Sequence, residues 1–116
     1  MKIILGMHRS GTSLVAGMFY NLGFDFGNSD KLIKPDVHNP NGYYENVDII
    51  NSNKKILHGF FGRLNYIIYC DFKNNFKRYK KNQFLIDKIE AKYKDCYVKD
   101  NRFCLTTKYW PKKIKF

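Results

Sequence analysis

Gly6-Met7-His8-Arg9-Ser10-Gly11-Thr12-Ser13 is the segment of this chain whose residue types and spacing most clearly support chemistry. Two glycines separated by four residues, followed by two hydroxyl residues that open a helical pattern, have the form of a phosphate-binding loop. Small residues let backbone N–H groups turn toward an anion, and the helix N-terminus adds partial positive charge. An ATPase loop would place lysine directly after the second glycine to reach the β- and γ-phosphates. Here Thr12 and Ser13 follow Gly11, and the cation sits earlier, at Arg9. A plain strand-to-helix turn is the alternative that spacing alone leaves open.

Residues 2–5 form a short apolar run that stops at Gly6, as a buried strand entering a turn would. From Thr12 the pattern becomes helical, with Leu14, Met18 and Leu22 on one stripe, Val15 and Phe19 beside it, and Gly23 at the C-terminal cap. Residues 24–42 read as loop, ending in the Asn41-Gly42 turn signal. A second helix is expected over 47–60 and a third over 83–93, with 63–81 ambiguous between them. Cys96-Tyr97-Val98 reads as a strand. Asp100 caps a helix over 101–109 that Pro111 ends, and Ile114-Lys115-Phe116 opens a further strand. Strands alternating with helices predict a single α/β domain over residues 1–116, with the strand at 2–6 central and parallel to the one at 96–99.

Arg9-Ser10-Gly11-Thr12-Ser13 resembles the phosphosulfate loop of the sulfotransferase superfamily. Asn39-Pro40-Asn41-Gly42-Tyr43-Tyr44-Glu45-Asn46, with Asp48, Ile49 and Asn51, is similar to a segment of the bacterial-type members. Val98-Lys99-Asp100-Asn101-Arg102-Phe103-Cys104-Leu105, ending in Tyr109-Trp110, is similar to a third segment, with Asn101 where that family usually has proline. The resemblance implies a three-layer P-loop-type fold with a central parallel sheet. It covers the N-terminal part of that fold and stops where the strand leading to the 3′-phosphate site would begin. The implied reaction is transfer of a sulfuryl group from 3′-phosphoadenosine 5′-phosphosulfate (PAPS) to an acceptor hydroxyl, with little or no turnover expected without the 3′-phosphate site.

The resemblance also assigns roles. Arg9 and Lys99 are the cations that stabilise charge on the departing bridging oxygen; otherwise Arg9 is a surface residue on a tight turn and Lys99 a solvated lysine. His8, Arg9, Ser10, Gly11, Thr12 and Ser13 line the cofactor's 5′-phosphosulfate end, His8 as a residue that shapes the loop. Glu45 is either the general base for the acceptor or a carboxylate favouring the start of the second helix. Tyr43, Tyr44 and Trp110 stack on adenine, line the acceptor pocket or pack in the core.

Composition bounds these readings. The chain has 116 residues, 44% hydrophobic and 17% aromatic. No apolar run approaches the ~18–20 residues of a membrane helix, and no secretory leader is recognisable, so a cytoplasmic protein is expected. Cys70, Cys96 and Cys104 show no metal-ligand or disulfide-framework spacing, and no metal is expected. Of the net charge of +11, residues 73–116 carry most, with 14 Lys and Arg against 4 Asp and Glu. The block Lys77-Arg78-Tyr79-Lys80-Lys81 suits nucleic acid, but a solvated helix face explains it as well, and no nucleic-acid motif accompanies it. The alternatives to an enzyme are therefore a non-catalytic nucleotide-binding remnant and, third, a small basic nucleic-acid-binding protein.

Overall fold

The computed structural model describes residues 1–58 and 72–110. Among these, strand β1 (Lys2–Ile4) leads through the glycine loop into helix α1 (Thr12–Asn21). A single 3₁₀ turn (Ser29–Lys31) interrupts the loop that follows, then come α2 (Val47–His58), α3 (Phe72–Lys92), β2 (Tyr97–Lys99), the short α4 (Phe103–Thr106) and a second 3₁₀ turn (Thr107–Tyr109). β1 and β2 pair in parallel, with Lys2 beside Tyr97, Ile3 beside Val98 and Ile4 beside Lys99. The chain is thus mixed α/β with a two-stranded parallel sheet among the described residues. The expected parallel pairing is present, whereas the strand expected over 114–116 and Phe60 of the second helix lie outside the described residues.

One core unites α2, α3 and α4 with β2. Ile49 and Ile56 of α2, Ile86 of α3, Tyr93, Cys96, Val98, Phe103, Tyr109 and Trp110 bury together, with Ile3 of β1 against them. α2 begins where Asn46 caps it, its Oδ1 accepting from the Asp48 N–H. The junction between α2 and α3 is tied by Asp48, which accepts from Lys92 Nζ at 2.8 Å and from the Tyr93 hydroxyl at 2.7 Å.

Three expectations are corrected. The stripe Leu14, Met18 and Leu22 does not face the core; these residues are 71%, 59% and 74% exposed. α1 instead seats through its small residues. Ala16 is fully buried, and a Cβ on Gly17 would meet the Tyr44 ring at 3.0 Å. Phe19 stacks on Tyr97 at 5.4 Å. Periodicity marks an apolar face but cannot say which of two usable faces is inward; close approach to an aromatic ring decided it here.

The third helix starts at Phe72 instead of Gln83. Its added turns lack an apolar stripe because polar side chains occupy the inner face. Arg78 Nη1 donates to the Leu57 carbonyl at 2.8 Å and to Asn75 Oδ1 at 3.1 Å, and Tyr79 packs on Tyr109 at 5.2 Å. The last helix is shorter than expected, with α4 ending at Thr106 and a 3₁₀ turn completing the segment.

Candidate functional site

Because β1 and β2 run in parallel and in register, their C-terminal ends open on the same side, where α/β folds gather ligand-binding groups. The glycine loop leaves β1 there, and Lys99 ends β2. A cleft of about 550 Å³ lies at this edge, lined by loop residues His8, Arg9, Gly11, Thr12 and Ser13, by Tyr43 and Glu45, and by Lys99 and Arg102.

The loop is closed by its own backbone. The Ser10 N–H and hydroxyl both approach the Met7 carbonyl, the hydroxyl at 2.6 Å. Arg9 has φ 58 and Gly11 φ 81, so two residues of the turn are left-handed, a conformation that an arginine adopts at a cost. Gly6 has no room for a side chain: a Cβ would stand 2.4 Å from Thr12 Cγ2. Gly11 is the N-cap of α1 and supplies no side-chain cap, leaving the first helical N–H groups available to an anion.

Lys99 joins the loop to the rest of the cleft. Its side chain is buried, and Nζ donates to Glu45 Oε1 at 2.6 Å, Ser13 Oγ at 3.1 Å and the Tyr43 carbonyl at 3.3 Å. Glu45 is itself buried. The segment carrying it is pinned by the Ile33 N–H, which donates to the Glu45 carbonyl at 2.8 Å. Tyr44, between two of the three acceptors of Lys99, has φ 55. For a bulky residue this is a strained backbone, and it lies where the Tyr43 carbonyl and the Glu45 carboxylate meet one ammonium.

The two candidate cations, Arg9 and Lys99, thus line one cleft, with His8, Gly11, Thr12, Ser13 and Glu45. Ser10 is not among the lining residues; its hydroxyl is engaged with Met7. Glu45 faces Lys99, while Asn46 caps α2. Of the three aromatic candidates, Tyr43 lines the cleft and its hydroxyl donates to Asp36 at 2.7 Å, which holds the Asp36 carboxyl below and the Tyr43 phenol above their usual ranges. Tyr44 packs against α1. Trp110 is a core residue, its indole N–H donating to Asn53 Oδ1 at 2.7 Å.

Sequence reasoning passed over His38, Asn39, Asn101 and Arg102 as lining residues. Three of them lie inside the segments that carry the family resemblance, so membership in those segments was the available signal. It also passed over the support beneath Lys99. Asp100 accepts from the Arg102 N–H and Nη1 through one oxygen and from Asn53 Nδ2 through the other. Asn53 Oδ1 in turn accepts from the Thr106 hydroxyl and the Trp110 indole. Asp100 is not the expected cap: α4 starts at Phe103 with Arg102 as its N-cap and no side-chain cap, and the Asp100 carboxylate instead holds Arg102 and ties α2 to the segment leading into α4.

Among the described residues no group of three or more His, Cys, Asp and Glu is placed to hold a metal ion, and no helix is long and apolar enough to cross a membrane. The cleft offers a buried ammonium, the guanidinium groups of Arg9 and Arg102, the hydroxyls of Thr12 and Ser13 and an uncapped helix end beside the single carboxylate of Glu45, a donor set suited to an anionic ligand. No family model matches this chain, and no curated protein or solved structure does either.

Proposed function

We infer that this cleft is the phosphosulfate end of a sulfotransferase-type site, within the three-layer P-loop-type fold with a central parallel sheet that the sequence resemblance implies. The observation that carries the reading is Lys99 Nζ, which reaches Ser13, Tyr43 and Glu45 at once. These residues come from the three separated segments on which the resemblance rests. The donor set fits an anionic group, since N–H, hydroxyl, ammonium and guanidinium groups surround a single carboxylate.

PAPS, when bound, supplies the activated sulfuryl group. The N-terminal N–H groups of α1, with Thr12 and Ser13, would hold its 5′-phosphate. Lys99 and Arg9 would oppose negative charge on the bridging oxygen, and such charge is greatest in the transition state. Lys99 is paired with Glu45 and Arg102 with Asp100, whereas Arg9 makes no ion pair among the described residues. Glu45, paired with Lys99 in the free chain and released as the ligand's anion takes that ammonium, would accept the proton of the acceptor hydroxyl as its oxygen bonds to sulfur and the bridging oxygen leaves with the nucleotide.

The test is titration with adenosine 3′,5′-bisphosphate beside a transfer assay with labelled PAPS and a panel of hydroxyl acceptors. In a version extended to carry the 3′-phosphate site that the resemblance implies, Arg9→Ala should reduce transfer by about 10²–10³, the scale for losing one transition-state donor, mainly in turnover. Nucleotide binding without transfer to any acceptor would leave a nucleotide-holding module. No nucleotide binding, or hydrolysis of ATP, would overturn the reading.

A further inference from the structure

The lysine-rich block of α3 takes no part in the cleft, and the helix splits it in two. Arg78 and Tyr79 turn inward, to the Leu57 carbonyl and to Tyr109, while Lys77, Lys80 and Lys81 are exposed. The inward face is marked by Asn75, Ile86 and, just past the helix end, Tyr93, all buried. At about 100° per residue, Phe76, Lys80, Phe84, Lys77, Lys88 and Lys81 fall within an arc of about 140° on the opposite side. Phe84 lies at the middle of that arc and is 85% exposed, and Phe76 at its edge is 52% exposed. The two rings are about two turns, or roughly 12 Å, apart along the axis. Lys80 Nζ stands 5.6 Å from the Phe76 ring centre. Asp87 falls inside the same arc, about 60° from Phe84, and Glu90 about 40° outside it, so the four lysines share the arc with one carboxylate.

We propose that this face of α3 docks on the surface of an anionic lipid bilayer, Phe84 and Phe76 entering the headgroup boundary while Lys77, Lys80, Lys81 and Lys88 meet lipid phosphates. Lysines beside exposed aromatic side chains on one helical face are the pattern of interfacial binding, and cations near an anionic leaflet each add attraction. A single strand of nucleic acid would find both charge and stacking rings here. It is favoured less because such strands are tracked by a groove, and this is the convex side of a helix, directly opposite its packed face. The docking is independent of the sulfotransferase reading, since no residue of the cleft belongs to it.

The experiment is co-sedimentation of the full chain with phosphatidylcholine vesicles, with and without phosphatidylserine, and with a homopolymer RNA as competitor. Binding is expected only to the serine-containing vesicles and should weaken as salt rises. Phe84→Ser should lower the partition coefficient about tenfold, on the scale of losing most of one ring's burial. Lys77→Glu with Lys81→Glu should lower it further. All these side chains are exposed, so circular dichroism should show the fold unchanged. Equal binding of Phe84→Ser and wild type would overturn insertion. RNA binding without vesicle binding, or binding to neither, would overturn the proposal.

Discussion

Replacing Lys99 by methionine removes the ammonium that faces the buried Glu45 carboxylate at 2.6 Å. Their side chains are 3% and 10% exposed, so neither charge has bulk water to fall back on. Taking one partner from such a pair costs about 3–5 kcal/mol, because the other is left buried and uncompensated. Glu45→Gln is milder, since the amide oxygen still accepts from Nζ, and should cost about 1–3 kcal/mol. The double variant leaves no stranded charge and should be more stable than the sum of the single losses implies, by about 2 kcal/mol. Urea unfolding followed by the fluorescence of Trp110, the chain's single tryptophan and a core residue, measures all three. Additivity within about 0.5 kcal/mol would show that the two charges do not depend on each other, and the geometric argument for the cleft would fail. The same pair governs ligand affinity. In the free protein the carboxylate occupies Lys99, and an incoming anion must compete with it. Glu45→Gln should therefore bind adenosine 3′,5′-bisphosphate about tenfold more tightly, equivalent to about 1.4 kcal/mol, while lowering transfer. Weaker binding would mean that Lys99 does not address the anion.

Asn53→Leu should destabilise the chain by about 2–4 kcal/mol, because it strands the Trp110 indole N–H and removes a donor from buried Asp100, each such loss being worth about 1–3 kcal/mol; thermal unfolding of the variant checks this. Asp48, held below the usual carboxylate range by Lys92 first and also by Tyr93, contributes stability above its unfolded value of about 3.8, and that contribution is lost as pH falls through its lower folded value. Asp48→Asn should accordingly flatten the acid limb of a stability-versus-pH curve, and also the alkaline limb above about 10.5, because Lys92 is held above its usual range chiefly by Asp48 and its contribution is otherwise lost as pH rises through that higher folded value. The exposed Leu14, Met18 and Leu22 make a continuous apolar stripe on α1, so the chain should self-associate at high concentration in light scattering, and Met18→Glu with Leu22→Glu should reverse it.

The parts of the fold that were legible in the sequence are those where backbone chemistry leaves few alternatives. Gly6 and Gly11 bracket a loop that needs a left-handed residue and a close approach, and the apolar runs at 2–5 and 96–98 become parallel strands. The rest was hidden because tertiary contact, not local pattern, decides it. The first turns of α3 look like a solvated run until Arg78 meets the open carbonyl of Leu57 at the end of α2. Asn53 fits the periodicity of α2 as an ordinary polar interruption. Only the approach of Asp100, Thr106 and Trp110 reveals it as the donor and acceptor that hold α2 to α4.

The site follows the same division. Residue types at Arg9, Glu45 and Lys99 suggested charge chemistry, but spacing cannot say whether positions 45 and 99 are neighbours. The parallel register answers it: Ile4 beside Lys99 places the end of β2 next to the mouth of the loop, so Ser13 and Lys99 are brought within 3.1 Å. Glu45 then reaches the same ammonium because the Ile33 N–H pins its backbone and Tyr44 takes a strained turn just before it. A buried lysine supplied with three acceptors is already desolvated and oriented before any ligand arrives. The reorganisation that binding would demand is thus confined to exchanging one carboxylate for another anion. Such a cleft should discriminate by charge and geometry at the loop, and its affinity should respond more steeply to substitution at Glu45 than at the exposed loop residue Ser10, whose hydroxyl serves only the turn.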